Sequence, residues 1–444
     1  MASRTNEDGS PRHKRPRYDD SDDDENTPMG EIVMVNVTGR DRVGITREVT
    51  TVLTKHQVEI MDLNQTVSQK KLMLGIVIRT PHGLDTSAMK KDLLFATFDM
   101  GLQVDITTIP HVEYEDWVGM QGQPQWILTL LARELKAEYL SAVTELLSKA
   151  QLNIATITRL SGRKSLFSRA GRATRACVEI RLRGEVNDEA ALKDQIMKLC
   201  SNMSMDLSFQ KDDIFRRYRR LAVFDMDSTL IQCEVIDELA REAGVYEEVA
   251  AITESAMRGE IDFGESLKQR VEKLKGLPES TLQVVAERLP LTEGARRLIR
   301  TLRRMGYKTA ILSGGFTYFA HHLQKILGFD FVHANQLEIE NGIMTGRVTG
   351  TVVDANQKAT YLKEIAKNEG IDMRQTMAVG DGANDLPMLS IAGLGVAFHA
   401  KPLVRKQAKH QISTLGLDGV LYLIGVSDRD VKMIQTDAHG YFSE

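Results

Sequence analysis

Three short strand-like runs, far apart along the chain, each end in a polar turn. Leu221-Ala222-Val223-Phe224 runs into Asp225-Met226-Asp227-Ser228-Thr229, Lys308 to Leu312 into Ser313-Gly314-Gly315, and Thr376 to Val379 into Gly380-Asp381-Gly382-Ala383-Asn384-Asp385. A run that is apolar throughout offers no face to water, so it reads as a strand buried on both sides. Such strands need helices on both faces, which predicts a doubly wound parallel sheet whose ligands bind at the carboxyl ends of the strands. Two acids at the end of a buried strand are costly unless something compensates, and a metal ion with a phosphate group would do so. Asp-x-Asp or Ser-Gly-Gly alone is ordinary loop chemistry. The weight lies in their order, with Lys358 between the second and third motifs.

Ahead of this region the texture differs. Ile32 to Val37 reads as a strand, Gly39-Arg40-Asp41-Arg42-Val43-Gly44 as a turn, and Ile45, Val49, Val52 and Leu53 as one face of a helix. Strand-like stretches at Ile60–Val67 and Leu72–Ile78, a helix around Met89–Phe98 and a strand at Leu102–Ile106 complete the order β-α-β-β-α-β, a ferredoxin-like α+β unit. After a looser stretch from Pro110 to Gln125 the order repeats, from Trp126 to Phe209. The basic loop inside the repeat (Arg163, Lys164, Arg169, Arg172 and Arg175, with Phe167) reads as a solvated hairpin connection. Residues 1–29 are polar and segregate charge into a basic run, Arg12 to Arg17, and an acidic run, Asp19 to Glu25; they read as a disordered tail.

The predicted organisation is a tail at 1–29, α+β units at 30–110 and 125–212, and an α/β domain at 218–430 with a helical insertion at about 235–290. A net charge of −4 over 444 residues gives no pull towards nucleic acid or anionic lipid, and no apolar run is long enough for a membrane span. Three widely spaced cysteines and an N-terminus without the apolar core of a secretory signal predict a cytoplasmic protein.

On these motifs residues 221–410 closely resemble the phosphoserine phosphatase family of the haloacid dehalogenase superfamily, and the two α+β units resemble ACT domains. The resemblance implies a phosphoric monoester hydrolase of serine biosynthesis, acting on O-phospho-L-serine through an aspartyl phosphate. In that scheme Asp225 is the nucleophile, and Asp227 is the acid that protonates the leaving oxygen and then the base for water. Mg²⁺ is held by Asp225, the Asp227 main-chain carbonyl and Asp381, with Asp385 in the outer metal shell and Asn384 beside the site. Ser313, Gly314 and Lys358 bind the phosphoryl group. Glu234 takes the substrate ammonium, Arg270 its carboxylate, Phe263 covers the site, and Met257 is a further lining candidate.

The ACT resemblance leaves two readings open: an amino-acid effector at Gly39, Asp41, Arg42 and Gly44, or a purely structural, dimerising pair. A homodimer is expected on either. The rivals are the same chemistry on another phosphoamino acid or a phosphoprotein, and a non-catalytic ACT amino-acid sensor; the intact Asp225, Asp227, Lys358 and Asp381 argue against the latter.

Overall fold

The structure is a computed structural model and describes residues 30–122, 125–165, 167, 174–258 and 260–436. The charged runs before residue 30, with Arg169, Arg172 and the Met257 side chain, lie outside the described residues. The chain divides into two compact units at Gly122.

In the first unit the strands are β1 (Ile32–Arg40), β2 (Glu59–Ser68), β3 (Lys71–Arg79) and β4 (Gln103–Ile109), in the order β2-β3-β1-β4. All of its strand pairs are antiparallel. Helices α1 (Ile45–Lys55) and α2 (Thr86–Phe98) cover one face. Val33, Val35 and Val37 alternate inward along β1 and meet Ile45, Val49, Leu53 and Met89, the period of two meeting the period of 3.6. β1 runs on to Arg40, so the turn shortens to residues 41–44. Gly39 is therefore a strand residue, and a Cβ there would lie 2.5 Å from Leu102. The stretch after Pro110 is not loose: it forms α3 (His111–Gly119).

The second unit opens with the same topology. Its strands β5 (Gln125–Ala132), β6 (Asn153–Arg159), β7 (Ala176–Arg183) and β8 (Met205–Lys211) take the order β6-β7-β5-β8, with α4 (Ala137–Lys149) and α5 (Glu189–Asn202). A short α6 (Ile214–Arg217) leads into β9 (Leu221–Phe224).

The insertion is four helices, α7 (Val235–Ala243), α8 (Tyr246–Met257), α9 (Phe263–Glu272) and α10 (Ser280–Arg288). Then come α11 (Ala295–Arg304), β10 (Lys308–Phe316), α12 (Thr317–Leu327), the hairpin β11 (Phe331–Glu340) and β12 (Ile343–Thr349), and α13 (Ala355–Asn368). The chain continues through β13 (Thr376–Gly380), α14 (Leu386–Ile391), β14 (Leu394–Phe398), α15 (Pro402–Gln407), β15 (His410–Ile412), α16 (Val420–Leu423) and α17 (Asp428–Thr436).

The seven-stranded sheet has the order β12-β11-β10-β9-β13-β14-β15. β9 pairs in parallel with β10 on one side and β13 on the other. The chain thus winds outward in both directions from β9, and the crevice at the carboxyl ends of β9, β10 and β13 is the topological switch point. Ala222 and Phe224 pack into one core and Leu221 and Val223 into the other, which is why this strand is apolar throughout.

The β5–β8 sheet is docked on this domain. Leu131, Leu160 and Cys177 are buried in the same core as Phe224. The fully buried Asp206 carboxylate accepts four hydrogen bonds, from the main chains and hydroxyls of Ser413 and Thr414, at 2.5–2.8 Å. Arg133 pairs with Glu293 through two bonds of 2.8 and 2.7 Å. Arg175 is not a solvated loop residue: it pairs with the buried Asp418, which Arg297 also holds. No described helix is long and apolar enough to cross a membrane.

Candidate active site

The three polar turns meet at the switch point. Asp225 leaves β9 with its N–H on the Val379 carbonyl of β13, at 2.9 Å, so the first and third motifs are tied by main chain. Lys358 projects from the first turn of α13, entirely buried, and its Nζ donates to Asp225 Oδ1 at 2.7 Å and Asp385 Oδ1 at 2.8 Å. Asp385 Oδ2 also accepts from the Gly382 N–H at 3.0 Å, which folds the third turn back on itself. Asp381 accepts from the Thr229 hydroxyl at 3.3 Å.

Carboxylate oxygens of Asp225, Asp381 and Asp385 lie within 4.8 Å of one another. Burial, reinforced by Asp385, pushes the Asp225 carboxyl well above its usual range despite the pull of Lys358. Burial, then Asp385 and Glu234, push Asp381 up to about 7. Burial works against the Lys358 charge, but Asp225 and Asp385 outweigh it and hold the ammonium protonated. Three converging hard oxygen donors facing one ammonium are short of positive charge, and a small divalent cation suits that donor set. The Asp227 carboxylate is not one of that trio and accepts from the Val235 N–H at 3.2 Å. Burial, then Glu234 and Asp225, raise its pKa well above the ordinary carboxylate value.

A cleft of about 990 Å³ opens over these groups, lined by Asp225, Asp227 and Asp381 below and by Glu234, Phe263 and Arg270 of the helical insertion. Gly314 and Asn384 also reach it. Ser313 is fully buried, its Oγ accepting from the Gly315 N–H at 2.9 Å. A Cβ on Gly315 would lie 2.6 Å from the Asp227 carboxylate and 3.1 Å from Ser313 Oγ, so the second motif has to carry glycine there. Arg270 is largely buried, and burial lowers its pKa against the pull of Glu234 and Asp237, so the cation sits ready for an anion brought in by a ligand.

Two supporting residues carry no motif signal. Asn335, in β11 and 1% exposed, donates to the Gly314 carbonyl and accepts from the Val353 N–H, each at 2.8 Å, joining the second motif to the segment that starts α13. An amide in the middle of a strand, next to a second amide at Gln336, is the only trace it leaves in the sequence. Ser228, at φ 56°, turns its Oγ onto Glu234 Oε1 at 2.8 Å; a polar residue at an unusual backbone angle cannot be read from composition. In the first unit, Arg42 donates to the Met100 carbonyl at 2.5 Å and Gly44, at φ 99°, starts α1.

A family model for haloacid dehalogenase-like hydrolases matches residues 220–393, and one for ACT domains matches residues 31–107. A phosphoserine phosphatase of Mycobacterium tuberculosis is 40% identical over 90% of this chain and 94% of its own length. One from Streptomyces coelicolor is 38% identical over 91% and 94% respectively. The crystal structure of a probable phosphoserine phosphatase from Vibrio cholerae, 34% identical, superposes with a TM-score of 0.53 over 71% of this chain and 90% of that one. With near-full-length identity of this order, the chain belongs to the phosphoserine phosphatase family, joining a haloacid dehalogenase-like hydrolase domain to an N-terminal ACT domain.

Proposed function

We propose that the protein hydrolyses O-phospho-L-serine to L-serine and phosphate. The observation that carries this reading is one cleft presenting a carboxylate, Glu234, and a guanidinium, Arg270, above the Asp225 and Asp227 pair. A phosphorylated zwitterion matches that charge pattern; a sugar phosphate does not.

Asp225 attacks phosphorus, its oxygen forming the new P–O bond as the bond to the serine oxygen breaks. Asp227, whose pKa is raised by burial and by Glu234 and Asp225, gives a proton to the departing oxygen. In the second half Asp227 takes a proton from water as the water attacks the aspartyl phosphate and the Asp225–P bond breaks. Lys358 balances charge on Asp225 through both steps from its bond at 2.7 Å. Ser313 and the Gly314 N–H bind phosphoryl oxygens, Asn384 borders them, and Phe263 closes the cleft against water. Glu234, held by Ser228, receives the substrate ammonium, and Arg270 its carboxylate. We assign Mg²⁺ to Asp225, Asp381 and the Asp227 carbonyl, with Asp385 behind them; when bound it supplies Lewis-acid charge to the phosphoryl oxygens.

The same proposal takes in the ACT domain as a site for an amino-acid effector at the turn of Asp41, Arg42 and Gly44, with Gly39 beneath it, and association of two copies through the ACT-like modules. The β5–β8 unit is read as a second ACT-like module on its shared strand order. The free Cys177, Cys200 and Cys233 support a cytoplasmic setting.

The deciding experiment is a substrate panel. L-phosphoserine should exceed phosphoethanolamine (no carboxylate) and 3-phosphooxypropanoate (no ammonium) in kcat/KM by about 10² or more, the discrimination of lost charged contacts. Arg270→Met should erase the first preference and Glu234→Gln the second. Equal rates on all three esters would leave a general phosphatase instead.

A further inference from the structure

Away from the catalytic cleft, the seam between the β5–β8 sheet and the α/β domain holds an open cavity of about 600 Å³. Its walls carry five cations, Lys193, Lys211, Arg219, Arg405 and Lys409, against two acids, Glu189 and Asp213. Like charges concentrate here: Lys409 depresses the Lys193 ammonium behind the larger effect of burial. Arg219 is only 7% exposed; its Nη1 is held by the Arg374 and Thr376 carbonyls, while its Nε has no hydrogen-bond partner. The Arg405 Nε is likewise buried without a partner. Five cations clustered around one hollow against two acids are a charge excess that a bound anion would balance. The opposite wall is apolar: Ile196, Leu207 and Phe209, with Phe209 stacked on Trp126 at 4.8 Å.

From this juxtaposition we infer a second ligand site, separate from the catalytic cleft, for a small amphipathic anion. Its phosphate or carboxylate lies among Lys193, Arg405 and Lys409, and its apolar or planar body lies against Leu207 and Phe209. The site can report to the catalytic cleft because α15 forms a wall of both. Lys401, Leu403 and Val404 line the cleft, and Arg405, Ala408 and Lys409 line the cavity. A ligand that fixes one end of so short a helix bears on the other. None of these residues takes part in the proposed phosphate chemistry.

The chain has two tryptophans, Trp117 and Trp126, so the full-length Trp117→Phe variant makes Trp126 the sole reporter at the cavity wall. Its fluorescence is titrated with AMP, with 3-phenylpropionate and with sulfate. The expected result is a saturable change with AMP or 3-phenylpropionate, whichever head group the site takes. Adding Lys193→Ala and Lys409→Ala should raise that Kd by about tenfold or more while the melting temperature and phosphoserine turnover without ligand stay unchanged. Absence of saturation with all three probes up to about 10 mM, a level at which binding would be negligibly weak, overturns the proposal. So does saturation by sulfate alone, or a Kd indifferent to the two lysines.

Discussion

Lys358 and Asp225 are held 2.7 Å apart, both buried, and the same ammonium reaches Asp385 at 2.8 Å. One cation thus fixes Asp225 at the end of β9 and the third turn after β13 in a single arrangement. Replacing it with the similarly shaped but uncharged methionine leaves two buried carboxylates facing each other. Lys358→Met is predicted to lower kcat by at least about 10³-fold and to destabilise the fold by about 3–5 kcal/mol. Phosphate release and urea unfolding measure the two effects.

Asn335 acts on the site without reaching substrate. Its two bonds of 2.8 Å hold the Gly314 loop to the start of α13. Asn335→Ala orphans a buried carbonyl and a buried N–H, at a cost of about 1–3 kcal/mol. Loosening of the Ser313–Gly315 turn should lower kcat more than it raises KM, and thermal melts with steady-state kinetics would show both.

The two anchors of the β5–β8 sheet should differ in weight. Asp206 is fully buried with four donors, so Asp206→Ala is expected to cost about 3 kcal/mol or more. The Arg133–Glu293 pair is about 40% exposed on both sides, and Arg133→Ala should cost no more than about 1 kcal/mol. Denaturant midpoints of the two variants test the order.

His410 sits in the same seam, its Nδ1 2.9 Å from the Ser208 hydroxyl. Burial, with Arg219, Lys409 and Lys193 nearby, lowers its pKa from 6.5 to about 3. The unfolded chain therefore binds a proton below about pH 6.5 that the folded chain refuses until about pH 3. Stability is predicted to fall as pH drops through that window, by up to about 1.4 kcal/mol per pH unit from this residue. Urea unfolding between pH 7 and pH 5 should show a shallower slope for His410→Asn.

The strand-end motifs were legible because buried strands advertise themselves as apolar runs and their polar turns cannot hide. Other features left weaker marks. α3 buries none of its residues fully, so no periodic face marks it in the sequence. Gly39 resembles a turn residue and hides the last part of β1, although its need for glycine comes from Leu102 packing against it. The seam was invisible for a different reason. Asp206 meets Ser413 and Thr414 two hundred residues further along, and Arg175 meets Asp418 at a similar remove. Such partners are set by how two folded sheets dock, which no local pattern encodes.

The most direct test is phosphate release from L-phosphoserine with Mg²⁺, comparing the wild type with Asp225→Asn. Turnover by the wild type that EDTA abolishes is expected, with a fall of at least about 10³-fold in the variant, since the amide cannot form the acyl phosphate. Comparable turnover by Asp225→Asn would contradict it, because phosphate would then be leaving without passing through Asp225.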